Sequence, residues 1–123
     1  MLKVVWVEIP VKDLDRALKF YNTVFGLTAS EVADDGVRRT VVLAYEHGTD
    51  KPGISLNQTA NFEPSDHGVY VYLDCGEDLV APMGRVEAAG GKVLTEKTYM
   101  EDAGYYASVL DSEGNLIGLY SAE

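Results

Sequence analysis

The stretch Val4–Gly26, VVWVEIPVKDLDRALKFYNTVFG, changes period once, and that change sets the plan of the chain. From Val4 to Val11 the pattern alternates. Val5, Val7 and Ile9 fall on one side and Val4, Trp6 and Glu8 on the other, as in a strand covered on one face. Asp13 then stands where a helix needs a side-chain acceptor for its first free N–H groups. Leu14, Ala17, Leu18, Tyr21, Val24 and Phe25 recur at helical spacing, and Gly26 follows as the residue that most readily takes the left-handed backbone of a helix end. A strand running into a helix with an apolar stripe predicts that the helix covers the sheet to which the strand belongs.

Further along, Thr28–Ala33, a turn at Asp34–Gly36, the run Val37–Tyr45 and the run Gly53–Thr59 predict a hairpin and a further strand. Asn61–His67 is polar apart from Phe62 and reads as a connection. The pattern then restarts. GVYVYLD at 68–74 alternates, with Val69, Val71 and Leu73 on one side and Tyr70 and Tyr72 on the other. Val80, Met83, Val86 and Ala89 mark a second helix that Gly90-Gly91 stops; Pro82 belongs in its first turn, so the regular part is expected from about Ala81. Lys92–Thr98, Gly104–Leu110, a turn at Asp111–Gly114 and Asn115–Ser121 complete the order strand, helix, three strands for a second time. The chain is therefore expected to be one α+β domain over 1–123, built of two βαβββ modules at 1–60 and 66–123. Each helix covers one face of its sheet, and curling the halves together into a curved mixed sheet buries the other face around a concave pocket.

The 123 residues suffice for one sizeable core, and a hydrophobic content of 46% belongs to an ordinary globular chain. Ten Lys and Arg against twenty Asp and Glu give a formal charge of −10, which disfavours nucleic acid and anionic lipid as partners. The N-terminal residues lack the basic flank and cleavage site of a secretory leader, and no apolar run is long enough to span a membrane, so a cytoplasmic protein is expected. Cys75 is the sole cysteine and is expected to be a half-buried structural thiol. Phosphate-cradling glycine loops, a nucleophile elbow and a CxxC pair are all absent, leaving nucleotide hydrolysis, α/β-hydrolase chemistry and dithiol exchange without support.

Residues 9–26, IPVKDLDRALKFYNTVFG, resemble the first strand and helix of the vicinal-oxygen-chelate superfamily, which includes glyoxalase, bleomycin-resistance and extradiol dioxygenase domains. RVEAAGGKV at 85–93 and LDSEGNLIGLY at 110–120 resemble the end of its second helix and its last hairpin. The resemblance implies paired βαβββ modules in a partly open barrel, often completed by a homodimer. It also implies a range of activities, from glyoxalases and epimerases to drug-sequestering proteins, so the site must decide. Enzymes of the family hold a divalent metal with a His or Glu from each of four strands. The positions matching those ligands here are Trp6, Ser55, Gly68 and Gly118, with His67 one step from Gly68. None is a ligand, and shifting the strand to admit His67 would turn Tyr70 and Tyr72 into the helix-side core. Glu8 and His67 alone make a poor site, and His47 reads as a solvated loop residue. No metal and no other cofactor is expected.

Alternation places Trp6, Glu8, Ser55, Asn57, Tyr70, Tyr72, Leu116 and Tyr120 on the concave face, joined by one of Tyr105 and Tyr106. Aromatic walls with a few hydrogen-bonding groups suit a small organic ligand; the competing reading is that these rings pack on one another or on a second subunit. Glu8 either pairs with Arg39 of the neighbouring hairpin or, unpaired in an apolar pocket, serves as a general base. Three functions follow, in order of preference. The first is metal-free binding of a small, aromatic or cationic molecule through Trp6, Glu8, Arg39, Ser55, Asn57, Tyr70, Tyr72 and Tyr120. The second is a metal-free isomerase or lyase using Glu8 as acid and base, and the third a divalent-metal-dependent lyase or dioxygenase.

Overall fold

A computed structural model describes residues 2–123. The first module contains β1 (Trp6–Pro10), α1 (Leu14–Phe25), β2 (Val32–Asp34), β3 (Arg39–Ala44) and β4 (Gly53–Gln58). The second contains β5 (Val71–Asp74), α2 (Val80–Arg85), β6 (Lys92–Met100), β7 (Gly104–Leu110) and β8 (Leu116–Ser121). The element order strand, helix, three strands is thus present twice.

Each module forms its own four-stranded mixed sheet, ordered β1-β4-β3-β2 and β5-β8-β7-β6. In each, the first strand runs parallel to the last, because the intervening helix carries the chain back across one face, and the remaining pairs are antiparallel. The expected mixed sheet is divided between the modules, with β1 and β2 at the edges of one half and β5 and β6 at the edges of the other. Their helix-side residues share one core that includes Ile9, Val41, Leu56, Val109 and Leu119.

Asp13 caps α1 as expected, its carboxylate accepting the Arg16 N–H at 3.1 Å, and Gly26 ends the helix at φ 65°. The fully buried stripe contains Phe20 in place of the expected Leu18 and Phe25, which are only half-buried. The reason is a second covering surface: Phe20 packs against Gly91, where a Cβ would come within 2.7 Å of its ring. The second helix is shorter than its apolar spacing predicts. It stops at Arg85, and turns carry the chain to Gly91, whose N–H donates to the Val86 carbonyl at 2.9 Å. The strand expected from Gly68 starts only at Val71, and the first hairpin's turn lies at Asp35–Arg38, one residue later than its sequence suggests.

The β7–β8 turn fastens the modules together. Glu113 reaches the start of α1, where it accepts the N–H groups of Lys12 and Asp13 and both arms of Arg16, all at 2.8–2.9 Å. Asn115 donates to the Pro10 carbonyl and accepts the Ser65 N–H. From the other side, the Arg85 guanidinium donates twice to the Val24 carbonyl at the end of α1.

Candidate functional site

Between the free edges of β1 and β5 lies a cleft of about 710 Å³, with Trp6 and Glu8 on one wall, Tyr70, Tyr72 and Leu116 on the other, and Phe62 of the connecting segment at its end. That volume is within the range of small-molecule pockets.

On the β1 wall the Trp6 indole lies flat over Gly53, where a Cβ would sit 2.3 Å from the ring. Its Nε1–H donates to Ser55 Oγ at 3.0 Å, Asn57 Nδ2 donates to the same oxygen at 3.0 Å, and Thr40 Oγ1 donates to Asn57 Oδ1 at 2.6 Å. Ser55 and Asn57 are 1% and 0% exposed, so they stand beneath the indole as its support and do not line the cleft. Trp6 itself remains 40% exposed, with the Tyr45 ring 5.4 Å away.

The β5 wall repeats the device. Tyr70 and Tyr72 stack at 4.7 Å and 12°, and Tyr106 meets Tyr72 edge-on at 6.5 Å. Both stacked rings cover Gly118, where a Cβ would lie 2.6 Å from Tyr72 and 2.9 Å from Tyr70. Burial raises the Tyr70 hydroxyl above the usual tyrosine pKa, although Ser108 acts in the opposite direction. Of the two tyrosines on β7, Tyr106 joins this aromatic group, whereas Tyr105 packs against the core with the Lys97 ammonium 4.5 Å from its ring centre.

The pairing registers reveal how the modules correspond. Glu8 lies opposite Ser55 and Tyr72 opposite Gly118; the Val11 N–H donates to Asn57 O and the Cys75 N–H to Tyr120 O. The counterpart of Trp6 in the second module is accordingly Tyr70, not Gly68. An indole and a phenol occupy equivalent places on different seats: Trp6 lies over Gly53, the residue opposite it, whereas Tyr70 leans over Gly118, which is opposite Tyr72 and corresponds to Ser55.

Other residues named from sequence sit elsewhere. Tyr120 is half-buried against β7, its hydroxyl 2.9 Å from where a Gly104 Cβ would stand, and it is not part of the cleft wall. Arg39 points to the helix side and pairs with Asp15 at 3.3 Å and Asp34 at 3.7 Å. Glu8 instead pairs with Arg38, at 3.4 Å, with both side chains about two-fifths exposed. The expected pairing was one residue off because the turn falls later, and Glu8 is neither isolated nor in an apolar enclosure. His67 is exposed and contacts Asp66 at 2.9 Å, and His47 contacts the Tyr45 hydroxyl. The Cys75 thiol is pushed up by burial, consistent with a structural role.

The family's divalent metal does not fit these residues. Indole, phenol, an engaged hydroxyl and a glycine are no substitute for imidazole and carboxylate ligands. Among the described residues no three His, Cys, Asp or Glu side chains converge on a point. Sequence reasoning did not identify Gly53, Arg38 or Phe62. A signal for Gly53 exists, since a wide ring on an edge strand needs a small residue on the strand beside it, but the pairing register is required to find it.

A family model described as the glyoxalase/bleomycin resistance protein/dioxygenase superfamily matches residues 3–119. The chain belongs to this superfamily. Among curated proteins, a lactoylglutathione lyase of Haemophilus influenzae is 28% identical over 99 residues, which is 77% of this chain and 73% of that one. Among solved structures, a glyoxalase I variant from Zea mays superposes with a TM-score of 0.74 at 24% identity over 96% of this chain. This superfamily member spans only 46% of that maize protein. A glyoxalase/bleomycin resistance/dioxygenase domain from Frankia sp. also gives a TM-score of 0.74, at 14% identity, covering 100% of this chain and 99% of the other. These likenesses concern the fold. No helix among the described residues is long and apolar enough to cross a membrane.

Proposed function

We propose that this superfamily member binds a small, planar organic molecule in the cleft between β1 and β5 without using a metal. The observation that carries this reading is the replacement of would-be ligand positions by rings seated on Gly53 and Gly118, which turns two metal-facing strands into opposed aromatic walls. Stacking on such walls contributes roughly 0.5–1.5 kcal/mol per contact beyond the area buried. A cationic group on the ligand would face Trp6 and Glu8, in competition with Arg38.

Trp6 is the sole tryptophan, so intrinsic fluorescence reports on this wall directly. A screen of planar aromatic compounds, neutral and cationic, is expected to yield saturable quenching that Tyr70→Ala weakens about tenfold and EDTA leaves unchanged. Saturable binding that needs an added divalent metal would replace this reading with the metal-dependent one. Glu8-based acid–base turnover is the second reading, and turnover of a bound compound abolished by Glu8→Gln would establish it.

A homodimer and a cytoplasmic setting accompany the proposal. Val4, Val5 and Val69 are 58%, 71% and 91% exposed beside the cleft, an apolar margin that suits a second copy of the chain.

A further inference from the structure

A second cleft, of about 680 Å³, opens at the other side of Phe62, between the β2–β3 turn, the end of β4 and the start of α1. Its character differs from the aromatic cleft. Lys12, Arg38 and Arg39 line it against the carboxylates of Asp34 and Glu63, in a chain where acids outnumber bases twenty to ten. Asp34 is partly neutralised already, with Arg39 Nε 3.7 Å from its Oδ2 and the Gly36 N–H bound to its Oδ1. The Lys12 ammonium has no ion-pair partner among the described residues. Gln58 uses its amide oxygen to accept the Leu14 N–H at 2.8 Å, which leaves its amide N–H groups available as donors. Arg38 stands on the partition between the clefts, held to Glu8 only through a half-exposed contact of 3.4 Å.

We infer that this second cleft binds a small anion, a carboxylate or phosphate group, through Lys12, Arg38 and the Gln58 amide. A free ammonium, a loosely held guanidinium and a neutral donor line the same cleft, whose lining carries three cationic side chains, Lys12, Arg38 and Arg39, against two carboxylates, Asp34 and Glu63. Guanidinium and ammonium groups form their strongest hydrogen bonds with such oxyanions. The inference is independent of what the aromatic cleft binds.

Amide NMR shifts of the intact chain, titrated with inorganic phosphate and separately with citrate, test it, with sodium chloride at matched ionic strength as the reference. Saturable shifts are expected at Lys12, Gly36–Arg38 and Thr59. Lys12→Gln and Arg38→Gln should each weaken binding at least fivefold, while Lys92→Gln on β6 leaves it unchanged. Binding of phosphate alone or of citrate alone supports the site and identifies its preferred anion. Shifts that fail to saturate, that chloride reproduces, or that Lys12→Gln does not weaken overturn it. Because Lys12 is exposed and unpaired, that variant keeps the test decisive if Arg38→Gln folds poorly.

Discussion

Glu113 shows how much one residue contributes to holding this fold. Its side chain is fully buried, and burial alone would raise its pKa. The bonds from Arg16, the Asp13 N–H, the Ser112 hydroxyl and the Lys12 N–H outweigh burial and hold it at about 2. A carboxylate whose folded pKa lies below its unfolded value stabilises fully above the unfolded value, near 4.5. That contribution is lost as pH falls through about 2. Acid titration followed by circular dichroism should therefore show stability declining below about pH 4.5. Glu113→Gln should cost about 3 kcal/mol at pH 7 and flatten that decline; an unchanged acid limb would show that another group governs it. At Gly53, substitution by Ala places a methyl inside the space of the Trp6 ring. The expected result is a loss of roughly 1–3 kcal/mol and a red-shifted Trp6 emission as the indole is expelled. An unshifted spectrum would mean that the ring does not rest there. Trp6 itself was legible from alternation alone. Its seat on Gly53 was not, because which residue lies across from a strand is decided by register.

Among the elements, α1 follows its local sequence closely: cap and stop agree, and Leu14, Ala17, Tyr21 and Val24 of the expected stripe are fully buried, with Phe20 added by the second module's contact. The second helix does not. Of its expected stripe Val80 is exposed, while Leu79 and Pro82 are buried instead, and after Arg85 the chain must turn to bring Gly91 against Phe20 and the Leu110 carbonyl. Tertiary contact overrides periodicity there, as it does at β5, where Gly68–Tyr70 leave the ladder. The β7–β8 turn is the element that links both modules to the connecting segment. Asn115→Ala removes donors to Pro10 O at 2.8 Å and Asp111 Oδ2 at 3.0 Å and the acceptor for Ser65 N–H. We expect a loss of about 2–3 kcal/mol in denaturant unfolding, with the transition still single because the modules share one core. Two separate transitions would show that the turn, rather than the core, couples the halves.

For the whole molecule, the apolar margin of Val4, Val5 and Val69, all more than half exposed, carries the proposal of a second copy. A homodimer predicts a mass of twice the chain by light scattering and a melting temperature that rises with protein concentration. A monomeric mass at every concentration tested would leave that margin to another partner. The doubled βαβββ order, the superfamily and the absence of metal ligands at Trp6, Ser55 and Gly118 are all legible in the amino-acid sequence. Those features are local: hydrophobic period, turn chemistry and residue type are written along the chain. Tertiary structure alone decided that Tyr70 and not Gly68 answers to Trp6, and that Ser55 and Asn57 support the indole from below. It also decided that Glu8 meets Arg38 and that Tyr120 turns away from the cleft. Each of these depends on strand register and on how two sheets face one another. A shift of one residue in a turn reverses which side chain points where, and the sequence marks turns only to within a residue or two.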